Sequence, residues 1–259
     1  VQNNNYNYNS GENQYANYSQ SPVQQNFSSL WANEEEYEYS LTSCLVKVFV
    51  RMFAALVVTA VAAWAVVSSP NAIRFIFGNY AIVFVLFIAE LGLVIAISRG
   101  LQKMSSATAN VLFFLYALLN GLTLSVIFLV YDLGVIYQAF GVTALMFAAM
   151  ALFGAITQKN LTSVGSFCFM GLIGVIIASV VNIFLSSSTL DMIVCYVAVF
   201  VFLGLTAWDT QKIKNMLRDA RSDSQDEAVK KISVIGALSL YLDFINLFLY
   251  LLRILGRRR

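Results

Sequence analysis

A chain of 259 residues that is 59% hydrophobic and 12% charged has too little polar surface to cover a globule in water. Its mean hydropathy of +0.73 suits a bilayer, and a net charge of +2 offers no electrostatic footprint for nucleic acid. The absence of histidine removes histidine triads, most zinc sites and histidine pH sensors. A pH response near neutrality must then come from carboxylates in unusual surroundings.

Residues 1–40 are rich in Asn, Gln, Tyr and Ser and carry no Lys or Arg. That composition predicts a disordered polar tail. It has neither the basic start nor the apolar core of a signal peptide. The acidic run Glu34-Glu35-Glu36-Tyr37-Glu38 closes it and reads as a solvated stretch. From residue 41 to 259 the chain predicts a helical membrane domain. A span needs roughly 20 apolar residues, and such runs lie near 45–67, 75–97, 106–131, 134–157, 164–186, 190–211 and 233–255. The breaks are short and polar, as at Ser68-Ser69-Pro70-Asn71 and Gln158-Lys159-Asn160. The sixth break, 212–232, is long and carries both signs of charge. Cys44, Cys168 and Cys195 are widely separated and show no metal spacing, so they read as packing residues.

Lys and Arg placement predicts orientation. Alternating from the N-terminus, one side receives eleven basic residues, from Lys47 to Lys231; the other receives only Arg74 before the last segment. The N-terminus and the sixth break are thus expected in the cytoplasm. The last segment conflicts with this bias. If it crosses, it carries Arg253, Arg257, Arg258 and Arg259 outward; if it re-enters, it must be buried in protein. Its length favours crossing.

Ionisable residues inside spans are costly and become functional candidates by default. Glu90 lies two-thirds along the second run, Asp209 near the cytoplasmic end of the sixth, and Asp243 near the middle of the seventh. Arg51 and Lys47 can snorkel to the interface. Lys212 and Lys214 offer Asp209 an ordinary interfacial explanation, whereas Asp243 has apolar neighbours on both sides. If the two aspartates meet, both cannot ionise cheaply in low dielectric, and they share a proton. Loss of that proton would draw in a cation: Ca²⁺, whose preferred ligands are such oxygens, or a basic side chain. Arg99 and Lys103 are the latch candidates. Paired membrane aspartates also suggest an intramembrane protease. However, Leu205-Thr206-Ala207-Trp208-Asp209 lacks the glycines of those enzymes, and Tyr131-Asp132 falls at a helix end; no enzyme is expected. The seventh segment has no lysine for a retinal Schiff base.

Three motifs carry a resemblance. Leu205-Thr206-Ala207-Trp208-Asp209-Thr210-Gln211-Lys212-Ile213 resembles the sixth-helix motif of the transmembrane Bax inhibitor-1 motif family. Ala237-Leu238-Ser239-Leu240-Tyr241-Leu242-Asp243-Phe244-Ile245-Asn246-Leu247-Phe248 resembles its last-helix motif, and Leu119-Asn120-Gly121-Leu122-Thr123-Leu124 its third-helix motif. The resemblance covers about 41–256. It implies an all-α bundle of seven transmembrane helices with the last one central, and a pH-sensitive calcium leak. It also implies that Asp209 and Asp243 pair, with Glu90 as the acidic residue of the second helix and Arg99 or Lys103 as latch. The expected partners are therefore lipid, Ca²⁺ and protons, with no cofactor. The alternative is a non-conducting regulator that binds protein partners through the tail or the sixth loop. A bacterial inner membrane is expected before a eukaryotic endomembrane.

Overall fold

The computed structural model describes residues 22–100, 103–222 and 226–256. Nine helices occur among them: α1 (Pro22–Val67), α2 (Pro70–Phe77), α3 (Tyr80–Gly100), α4 (Ser106–Leu124), α5 (Ile127–Val130), α6 (Leu133–Ile156), α7 (Thr162–Leu185), α8 (Ser188–Ser222) and α9 (Asp226–Gly256). The chain divides into two units, Val1–Ser43 and Cys44–Arg259. The first contributes the start of α1, and the second holds the bundle.

Seven stretches are long and apolar enough to cross a bilayer: Leu41–Val67, Tyr80–Gly100, Ser106–Val130, Leu133–Ile156, Thr162–Leu185, Ser188–Ala220 and Glu227–Gly256. The most apolar window is 67% buried in α9 and 50% in α8, but only 6% in α3. So the last helix is the central one, and α3, with its exposed Phe84, Phe87 and Ile88, lies at the periphery of the bundle. The helix α9 packs most extensively on α8, then on α6 and α4. Phe244 sits edge-on between Phe140 and Phe147 of α6, at 5.5 and 5.4 Å. These are the offsets aromatic quadrupoles prefer.

Several expected boundaries move. Residues 22–40, expected in the disordered tail, begin α1, with Pro22 at a first helical position, where proline is tolerated; residues 1–21 of that tail lie outside the described residues. The second run splits. Ser69 caps the short α2 by accepting from the Ala72 N–H, and Pro70 follows it. The span itself starts at Tyr80, beside Asn79, whose side chain accepts from the Ala81 N–H. The third run breaks at Ser125, whose hydroxyl donates to Leu122 O. The charged stretch 212–232 is largely helix, because α8 runs on to Ser222 and α9 starts at Asp226. Lys and Arg end a membrane span by polarity, yet they sustain a helix.

The last segment is long and apolar enough to cross, and it runs the length of α8. Ile213 packs on Gly236 near one end of the α8–α9 pair, Phe202 stacks on Tyr250 at 6.0 Å further along, and Arg253 meets Asp191 at the far end, 3.3 Å apart. α9 thus lies antiparallel along α8 to its first turn. The Asp191 carboxylate offsets one of the cations that made the crossing look unfavourable.

Candidate functional site

Most of the α8 motif holds the helix in place. The Thr206 and Thr210 hydroxyls donate back to Phe202 O and Thr206 O, so these buried groups are satisfied within α8. Trp208 lies flat against Gly165 of α7, where a Cβ would enter its ring. Gln211 uses its whole amide. Its Oε1 accepts from the Leu161 N–H at 2.8 Å, and its Nε2 donates to Lys159 O at 2.8 Å and Thr157 O at 3.3 Å. Lys214 donates to Ala155 O at 3.0 Å. Together they satisfy carbonyls left over where α6 ends, and place a cation at that helix terminus.

What the motif leaves over is Asp209. The register set by Ile213–Gly236 and Phe202–Tyr250 lays it at the height of Asp243 on α9. Asp243 is 5% exposed, and its Oδ2 is buried without a hydrogen-bond partner. A buried polar atom of this kind calls for an explanation such as a proton, an ion or a catalytic role. The two aspartates expected to pair thus lie at matching heights on the packed neighbours α8 and α9.

The latch candidates are elsewhere. Arg99 and Lys103 are exposed, and among the described residues neither forms an ion pair with Asp209 or Asp243. The cation whose charge acts on Asp209 is Lys212, one turn along α8, with its ammonium 4.7 Å from the Trp208 ring. One guanidinium nitrogen of Arg51 is buried with no hydrogen-bond partner. As metal ligands, Asp209 and Asp243 stand as a pair: no group of three or more His, Cys, Asp or Glu gathers among the described residues. Two carboxylates fall short of the six to eight oxygens of a retentive Ca²⁺ site.

Glu90 does not join the aspartates directly. It accepts from Thr123 Oγ1 at 2.7 Å and from Asn120 Nδ2 at 3.3 Å, both on α4. Asn120 Oδ1 accepts from the Tyr241 hydroxyl of α9 at 3.0 Å. That hydroxyl lies 2.6 Å from Thr59 Oγ1 of α1. One polar chain thus ties α3, α4, α9 and α1 together through a buried apolar layer. Asn120 and Tyr241 lie in the third-helix and last-helix motifs, whereas Thr59 stands outside every motif; the available signal for it is an uncharged polar side chain within an apolar run, the usual interhelical hydrogen-bonding group in membranes. Away from the basic end of the bundle, Arg253 and Asp191 line a cavity of about 690 Å³ with Tyr131, Ser179 and Asn182.

A seven-span helical bundle with a carboxylate pair between its two most buried helices defines a multi-pass integral membrane protein with an ionisable centre. The family described as inhibitor of apoptosis-promoting Bax1 matches residues 41–259, and the chain belongs to it. Among its relatives, the inner membrane protein YbhL of Escherichia coli is 46% identical over 220 residues, covering 85% of this chain and 93% of YbhL. An uncharacterised protein of Borreliella burgdorferi is 45% identical over 215 residues, covering 83% and 92% respectively. One from Rickettsia prowazekii is 42% identical over 228 residues, covering 88% and 95%.

Proposed function

We propose that this protein is a pH-sensitive leak for cations, Ca²⁺ foremost, with Asp209 and Asp243 as the sensor. The observation that carries this is the Asp243 carboxylate, buried on the central helix with one oxygen unpartnered and Asp209 within its field. Two carboxylates so placed hold one proton in common. With the proton present the pair carries a single charge and the helices stay together. When it leaves, two like charges face each other in low dielectric, and separation of α8 from α9 or entry of a cation relieves them. Glu90, on the peripheral α3, supplies a third carboxylate for the pathway. No cofactor is required for any of these steps.

The orientation that fits has the N-terminus and the basic end in the cytoplasm, as the distribution of Lys and Arg favours. A bacterial inner membrane agrees with the relative named for one.

The test is Ca²⁺ flux into proteoliposomes across pH for the wild type, Asp209→Asn and Asp243→Asn. Each substitution is expected to flatten the dependence of flux on pH. An unchanged profile in Asp243→Asn refutes the proposal. A second reading, a non-conducting regulator of stress, cell death or membrane protein quality control acting through protein partners, is favoured by the family's description as an inhibitor of Bax1. Purified protein that passes no ion at any pH supports that reading instead.

A further inference from the structure

The chain from Glu90 to Tyr241 ends on the same helix as the aspartate sensor, two residues before Asp243. Tyr241 is fully buried, with its ring edge-on to Phe113 and Tyr116 at 5.8 and 5.7 Å, so the ring is held and only its hydroxyl proton has a choice. That single proton can go to Asn120 Oδ1 at 3.0 Å or to Thr59 Oγ1 at 2.6 Å, but not to both. If it goes to Thr59, the Thr59 proton goes to Ala117 O at 2.9 Å or Ala55 O at 3.0 Å. The chain thus has two complete arrangements, one with the Tyr241 hydroxyl donating to α4 and one with it donating to α1.

Glu90 chooses between them. An ionised Glu90 holds the Asn120 NH₂ and so turns Oδ1 towards Tyr241. A protonated Glu90 has its own donor and frees the amide. We propose that Tyr241 is a positioning residue that carries the charge state of Glu90 across the bundle to the Asp209–Asp243 pair. The proposal rests on the leak reading of that pair. The titratable groups around this route are Glu90 from α3, Tyr116 from α4, and Asp209 with Lys212 from α8. There α1 contributes Thr59, and α6 the rings of Phe140 and Phe147.

The experiment is a double-mutant cycle on the flux–pH profile of the full chain in proteoliposomes. Glu90→Gln is expected to move the midpoint by about half a pH unit, roughly threefold in proton affinity, in the wild-type background. In Tyr241→Phe the same substitution should move nothing. An equal displacement in both backgrounds overturns the proposal, since a merely structural tyrosine leaves the two effects additive. Thr59→Val, close to isosteric, removes the alternative acceptor and should also abolish the coupling; it serves if Tyr241→Phe does not fold. The infrared C=O band of the protonated aspartate pair, titrated with and without Glu90→Gln, reads the same coupling without flux. A wild-type flux insensitive to pH therefore sinks the leak reading alone, and an infrared titration indifferent to Glu90→Gln sinks the relay alone.

Discussion

Gly121→Ala tests how closely α1 and α4 must approach. A Cβ at Gly121 would stand 2.5 Å from Thr59 O, 2.7 Å from Ala62 Cβ and 3.1 Å from Thr59 Cα. Two of these atoms are backbone, so no side-chain rotation relieves the overlap; α1 must retreat by about 1 Å to reach ordinary van der Waals separation. Such overpacking costs about 1–3 kcal/mol. The same retreat lengthens the 2.6 Å contact between Thr59 Oγ1 and Tyr241 Oη beyond hydrogen-bonding range, adding about 1 kcal/mol. The expected loss is thus about 2–4 kcal/mol. The assay is reversible denaturation in detergent micelles, with Gly141→Ala as the matched control. Nothing lies within 4 Å of a Cβ at Gly141, and there the exchange should be neutral or stabilising by up to ~1 kcal/mol. Equal stabilities for the two variants would refute the close packing of α1 on α4.

Gln211→Ala and Lys214→Met should each destabilise the protein by about 1–2 kcal/mol, by uncovering carbonyls at the end of α6; thermal unfolding measures it, and additivity between the two would show that they act on separate groups. Arg253→Gln should cost less than ~1 kcal/mol, and less still at high salt, because the guanidinium is 50% exposed and its partner Asp191 28%. Denaturation at two ionic strengths checks it. A tag on the C-terminus should be labelled from the side opposite a tag on the N-terminus, since α9 runs the length of α8; labelling of both from one side excludes seven crossings.

Composition and run length alone were enough for the membrane class and the seven spans, because a bilayer imposes one length and one polarity on every crossing. They also marked Asp243, a charge with no interface within reach. The break between spans at 212–232 is largely helical, because polarity ends a span without ending a helix, and α8 carries its charges to Ser222. The crossing of the last segment was undecided in the sequence, since the partner of Arg253 is Asp191, 62 residues earlier. The same holds for the site. That Asp209 stands beside Asp243 follows from the register of two helices, set by contacts such as Ile213 on Gly236. That Arg99 and Lys103 stay out in the open while Lys212 acts on Asp209 is a matter of where the ends of α3 and α8 lie. The tie from Glu90 through Asn120 to Tyr241 and Thr59 joins four helices separated by up to 182 positions. Periodicity and hydropathy report which residues avoid water. They do not report which buried polar atoms meet, because that depends on the rotation and register of each packed helix, and only the tertiary structure decides those.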